Sequence, residues 1–110
     1  MIQYFKNISG QTVSIDNLEQ GTWVNLLPPF KEEEFQELSK QMNIPIEFLR
    51  DSLDIDERPR FEEEDNVKFL VLKTPAENNS FNDSDAYYIT IPICVILTHH
   101  HIITVNSFDN

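Results

Sequence analysis

Residues 31–53, KEEEFQELSKQMNIPIEFLRDSL, decide the fold of this 110-residue chain, because they carry a helical period between segments with a strand pattern. Phe35, Leu38 and Met42 are spaced by three and four residues, which places these apolar side chains on one face of a helix. Three glutamates stand in its first turn, where carboxylates complement the helix dipole. The spacing predicts a first helix over residues 31–41.

A second, shorter helix is predicted over residues 45–53. It begins at Pro45, which suits the first turn of a helix because its missing N–H would have no intrahelical partner there. Ile46, Leu49 and Leu53 then lie on one face. Each helix therefore has one apolar face available for packing on the rest of the chain.

Segments on both sides of the helices are rich in β-branched and aromatic residues, which is typical of strands. Strands, then helices, then strands predict an α/β fold in which two short helices pack on a mixed, largely antiparallel sheet. One soluble domain over residues 1–110 is expected from the length. Trp23, Leu38, Leu49, Leu70, Val95 and Val105 are expected to be largely buried. The predicted strands are 2–8, 12–15, 22–27, 60–62, 67–72, 87–91, 93–98 and 102–106, with a turn at 62–66 and a loose loop at 75–85.

Composition narrows the possible partners. The formal net charge is −11, from 19 acidic and 8 basic residues, and such a surface repels phosphate, so nucleic acid is not an expected partner. Cys94 is the single cysteine and lies in an apolar run, which indicates a buried thiol in an intracellular protein. The apolar run at 89–97 is far shorter than the ~20 residues that a membrane-spanning helix needs, and no signal peptide is recognisable.

Four short motifs occur in a specific order: Trp-Val-Asn at 23–25, Leu-Arg-Asp at 49–51, Arg-Pro-Arg at 58–60 and Ile-Thr-Val at 103–105. Their order and spacing resemble the amino-terminal domain of the CorA family of magnesium and cobalt channels, over residues 21–105. The resemblance implies a cytoplasmic, regulatory, divalent-sensing domain of an ion channel and not an enzyme. It also implies a full-length homopentamer, in which this domain lies on the cytoplasmic side of the cell membrane.

The family's Gly-Met-Asn motif, stalk helix and membrane helices are not found in the 110 residues, so this chain is not expected to conduct ions by itself. Its partners would be the rest of the same transporter chain, neighbouring subunits and divalent cations. The isolated fragment is expected to be a monomer or a weak oligomer. The alternative interpretation is a free-standing acidic protein-interaction module without a transport role.

The resemblance implies one metal ligand, Asp51, which would contribute to a regulatory divalent site together with a carboxylate from a neighbouring subunit. Mg²⁺ is the expected ion, bound weakly and absent from Asp51 in the isolated domain. The alternative is that Asp51 is simply a solvated carboxylate at a helix end. Asp54, Asp56 and Glu57 are expected only to add to the local negative field.

Two other motifs contain residue types that are common in functional sites. Arg58-Pro59-Arg60 is expected to pair with carboxylates inside the protein, because two guanidiniums in an acidic chain favour bidentate pairing. His99-His100-His101 predicts a polar hairpin turn, since only the first and third side chains would share a face of a strand. A small metal-dependent hydrolase using His99 and His101 is the third alternative, although a zinc site needs three or four ligands.

Overall fold

The computed structural model describes residues 1–54, 56–77 and 88–106. In these residues seven strands form a single sheet, and two short helices contribute to the core on one of its faces. The predicted fold class is confirmed. The elements are β1 (Ile2–Ile8), β2 (Gln11–Ile15), β3 (Trp23–Leu26), α1 (Glu32–Met42), α2 (Ile46–Asp51), β4 (Arg60–Glu64), β5 (Val67–Glu77), β6 (Tyr88–Leu97) and β7 (Ile102–Asn106).

The strand order across the sheet is β2-β1-β3-β7-β6-β5-β4. Every neighbouring pair is antiparallel except β3 and β7, which run parallel. This one parallel pair makes the sheet mixed and joins the strands that precede the helices to those that follow them. Because the helices lie between β3 and β4 in the chain, they are part of the crossover that parallel pairing requires.

The helices pack as their apolar spacing predicts. In α1 the side chains of Phe35, Leu38 and Met42 are all buried, and the helix ends at Asn43, whose φ of 54° is left-handed. The second helix is shorter than predicted, ending at Asp51 rather than residue 53. Leu53 therefore lies beyond the helix and is 38% exposed, so the predicted face of α2 was partly wrong.

Only part of the acidic segment 62–66 forms the turn that the sequence predicted. Residues 62–64 belong to β4, and only Asp65 and Asn66 turn the chain, with φ values of 51° and 68°. A two-residue turn with both φ values positive matches the twist of the strands that it joins. The carboxylates fit in β4 because it is an edge strand, where charged side chains remain in water.

The last strands are longer than the sequence indicated. Strand β5 runs on through Pro75 to Glu77, so the start of the predicted loop is wrong; positions 78–85 lie outside the described residues. The two strands predicted on either side of Pro92 are one strand, β6. Pro92 fits because, among the described residues, β7 pairs with β6 only from Ile93 onward, and a proline is accepted where a strand lacks a neighbour on one side.

Half of the six burial predictions are confirmed. Leu38, Leu49 and Val105 are at most 1% exposed. The other half are wrong: Trp23 is 39% exposed, and Leu70 and Val95 are only partly buried. These three side chains point to the opposite face of the sheet from the helices. The core face is occupied by their neighbours in sequence, which are Val24, Phe69, Val71, Cys94 and Ile96.

Candidate cation site at the end of helix α2

Asp51 is the last residue of α2, and its side chain is 45% exposed. The helix beneath it is held firmly: Leu49 is fully buried, and the ring of Phe48 stacks on that of Phe69 with centroids 4.7 Å apart and planes 5° from parallel. Because the helix is fixed to the sheet through these contacts, the Asp51 carboxylate has a defined position at the surface.

One cation already contacts this carboxylate. Nη2 of Arg60, on the edge strand β4, lies 3.2 Å from Oδ2 of Asp51. This contact offsets an unfavourable one, because a carboxylate at the C-terminal end of a helix is close to the negative end of the helix dipole. None of the described residues donates a hydrogen bond to Oδ1, so half of the Asp51 carboxylate remains available.

Arg60 also pairs with two other carboxylates. It contacts Glu57, and its Nε lies 3.6 Å from Oε1 of Glu62. Its guanidinium is 5.1 Å from the centroid of the Phe69 ring, within the range of a cation–π contact. The prediction of internal ion pairing is therefore confirmed for Arg60. Arg58 is exposed and makes no ion pair with the part of the chain that the structure describes.

The segment between α2 and β4 explains how Glu57 reaches Arg60. Asp54 N–H donates to the carbonyl of Asp51, and Glu57 N–H donates to that of Asp54, both at 3.1 Å. Oδ1 of Asp54 accepts a hydrogen bond from the backbone N–H of Asp56 at 2.9 Å. Successive tight turns therefore bring the chain back on itself. The resulting ion-pair cluster consists of Asp51, Glu57, Arg60 and Glu62. Glu57 is its least exposed carboxylate, with a side chain only 17% exposed.

The cluster lies at the edge of the hydrophobic core. Arg60 faces Val71 on β5, which in turn faces Cys94 on β6, so the three share one row across the sheet. Burial raises the pKa of the Cys94 thiol to about 11, while Arg60 lowers it and Asp51 raises it. The thiol is fully buried, in agreement with the predicted packing role.

The three histidines connect β6 to β7, as predicted. Oγ1 of Thr98 accepts hydrogen bonds from the N–H groups of His100 and His101 at 3.3 and 2.9 Å. Nδ1 of His101 is buried without a hydrogen-bond partner. Burial lowers the pKa of His101, although the Thr22 backbone acts in the opposite direction. These contacts describe a structural turn, in which burial disfavours the charged form of the His101 imidazole.

The described residues provide only part of a metal site. They contain no group of three or more His, Cys, Asp or Glu side chains placed to hold a metal ion. Asp51 offers a hard carboxylate oxygen, which is the ligand type that Mg²⁺ prefers, and Mg²⁺ commonly takes one or two carboxylates and keeps its remaining waters. The chemistry of Asp51 fits a divalent cation, but the described residues do not form a site of three or more ligands around it.

A hydrogen-bonded network of polar side chains, which the sequence did not reveal, lies on the sheet face away from the helices. Nε1 of Trp23 donates to Oγ1 of Thr104 at 2.8 Å, and that hydroxyl donates to Oδ1 of Asn25 at 2.6 Å. Asn25 in turn donates to Gln3 at 3.1 Å. The Trp-Val-Asn motif therefore ties together β1, β3 and β7, a structural role that depends on which strands become neighbours.

Comparison with solved structures identifies the fold. The complete CorA magnesium transporter of Methanocaldococcus jannaschii matches with a TM-score of 0.74 and 20% identity, covering 99% of this chain and 33% of that one. The soluble domain of the same transporter matches with a TM-score of 0.74 and 23% identity, covering 99% and 41%. The ZntB cytoplasmic domain of Vibrio parahaemolyticus matches with a TM-score of 0.68 and 11% identity, covering 98% and 44%.

The fold is thus the one found in these transporter domains, and the sequence supports the same assignment. Residues 19–110 match the model of the CorA-like Mg²⁺ transporter protein family, and the chain belongs to that family. No curated protein matches the sequence. The chain spans less than half the length of each of these three solved structures. Within its described residues, neither helix is long and apolar enough to cross a membrane.

Proposed function

We propose that this chain is the cytoplasmic regulatory domain of a CorA-like magnesium or cobalt channel, and that it senses divalent cations through Asp51. The observation that carries the proposal is the family match, which includes Asp51 at the exposed end of α2. In this role the domain carries out no chemical reaction. It binds an ion and transmits the binding to the rest of the transporter.

The mechanism is a shift between two arrangements of the assembled transporter. Five copies of the domain form a ring, and Mg²⁺ links Asp51 of one copy to a carboxylate of its neighbour. Because the ion binds the linked, closed arrangement more tightly, it moves the population toward that arrangement. When the concentration of Mg²⁺ falls, the link is lost and the ring loosens.

The isolated chain is proposed to bind Mg²⁺ only weakly, with an affinity no tighter than about millimolar, because one carboxylate does not offset the reluctant dehydration of the ion. It is also proposed to be a monomer or a weak oligomer. The net charge of −11 makes copies repel one another, and cations between them would offset this repulsion.

The test uses the full-length transporter and measures how Mg²⁺ protects it from limited proteolysis. Asp51→Asn removes the charge of the proposed ligand, so the Mg²⁺ concentration for half-protection is expected to rise about tenfold, equivalent to about 1.4 kcal/mol. Asp54→Asn is the matched control, because it removes the same charge three residues away and keeps an oxygen for the Asp56 N–H. If both variants keep the wild-type midpoint, Asp51 is a solvated helix-end carboxylate and the proposal fails.

A further inference from the structure

The contacts around Arg60 bear on how Asp51 could bind an ion. The guanidinium is surrounded by the carboxylates of Asp51, Glu57 and Glu62, so the four groups together carry a net charge of −2. A single divalent cation would neutralise this cluster. Arg60 supplies one positive charge beside Asp51, and the remaining net charge of −2 attracts a divalent cation.

The position of Arg60 does not depend on Asp51. Its backbone is fixed by the pairing of Arg60 with Val71 across β4 and β5. Its guanidinium lies over the buried ring of Phe69 and contacts Glu57, the most enclosed carboxylate of the cluster. If Asp51 were released, the guanidinium would still have Glu57 and Glu62 as partners, so it would not become an unpaired charge.

We propose that Arg60 is an internal competitor for the Asp51 carboxylate and sets the divalent-cation concentration at which Asp51 becomes occupied. This inference rests on the proposed function, because it concerns the regulation of the same site. A divalent cation on Oδ1 of Asp51 is repelled by the nearby guanidinium, and one on Oδ2 displaces Nη2 of Arg60, which keeps its contacts with Glu57, Glu62 and Phe69. The exchange is local and reversible, and it makes the affinity of the site lower than that of an unpaired carboxylate.

The size of the effect follows from the exposure of the pair. The side chains of Arg60 and Asp51 are 27% and 45% exposed, so solvent screens the contact. Ion pairs of this kind contribute little individually, and removing the competitor is expected to improve divalent binding about two- to fivefold. The direction is informative, because a purely structural role for Arg60 predicts weaker binding after its removal.

The experiment measures the Mg²⁺ midpoint for protection from proteolysis in the full-length transporter, with Arg60→Gln as the main variant. Arg50→Gln is the matched control: Arg50 adjoins Asp51 in sequence but pairs with Glu32 at 2.5 Å. Both variants remove one guanidinium and its ion pairing, but only Arg60→Gln removes a cation that contacts Asp51. Arg60→Gln is expected to lower the midpoint about two- to fivefold relative to Arg50→Gln.

Two further variants separate the possible outcomes. Arg60→Lys keeps the charge but only one point of contact, so its midpoint is expected between those of the wild type and Arg60→Gln; it also serves as the test if the glutamine variant does not fold. Asp51→Asn with Arg60→Gln is expected to behave as Asp51→Asn alone. If Asp51→Asn raises the midpoint but neither Arg60 variant lowers it, the competition is refuted while the sensing role stands. If Asp51→Asn has no effect, both proposals fail.

Discussion

Phe69 and Leu70 are neighbours on β5 whose side chains point to opposite faces of the sheet, and they provide a direct test of which face is the core. Phe69 is fully buried and stacks on Phe48. Truncation of a buried phenylalanine leaves a cavity, so Phe69→Ala is expected to lower the free energy of unfolding by about 3–5 kcal/mol.

Leu70→Ala is expected to have a much smaller effect. Leu70 is only partly buried, on the face that the helices do not cover. Full burial of a leucine is worth about 1.5–3 kcal/mol, so a partly buried one that leaves no closed cavity should lose about 1 kcal/mol. The sequence alone favoured a largely buried Leu70, so the difference between the two variants tests the structure itself.

The assay is urea unfolding of the 110-residue chain, followed by Trp23 fluorescence and circular dichroism. A lower midpoint with an unchanged slope reports a change in stability alone. The Phe48→Ala and Phe69→Ala double-mutant cycle should add a coupling of about 0.5–1.5 kcal/mol from the stacked rings. The reasoning is refuted if Leu70→Ala destabilises the chain as much as Phe69→Ala does.

Two further predictions concern groups whose pKa is shifted by burial. Because the pKa of Cys94 is raised to about 11, the native thiol should react with a thiol reagent at pH 8 about 100-fold more slowly, or slower still, than in the urea-unfolded chain; equal rates in the two states would contradict its burial. The lowered pKa of His101 means that the unfolded state binds its proton more readily, so stability from this group is fully present above about pH 6.5 and is lost as the pH falls toward the folded pKa. In denaturant melts at pH 7.5 and 5.5, His101→Gln should therefore lose less stability on acidification than the wild type; an equal loss in the variant and the wild type would exclude this role.

Local sequence was sufficient for most secondary structure. The three- and four-residue spacing of Phe35, Leu38 and Met42 predicted α1 to within one residue at each end, because this periodicity arises from the geometry of the helix alone. The strand β7 was predicted with its observed bounds for a similar reason. The end of β4 at residue 64 and the continuity of β6 through Pro92 were missed, because edge position and the length of the neighbouring strand decide whether charges or a proline are accepted there.

The candidate site was also predictable from the sequence only in part. The Leu-Arg-Asp and Arg-Pro-Arg motifs indicated Asp51 and an internally paired arginine, since residue type and order are properties of the chain. The partner of Arg60 could not be read from them, because several carboxylates stand within a few residues and each could pair with it. The tertiary structure brings three of them, Asp51, Glu57 and Glu62, to Arg60.

The sequence by itself determined the helices, most strands and the family, because local periodicity and residue order express them; Asp51 as a cation ligand stays a prediction. Only the tertiary structure decided the strand order, the parallel pairing of β3 with β7, and the face that became the core. An alternating strand such as β5 offers apolar residues to both faces, and the choice between Phe69 and Leu70 was made by the side on which α1 and α2 pack. The same packing brought the end of α2 against the edge strand, and so placed Arg60 beside Asp51.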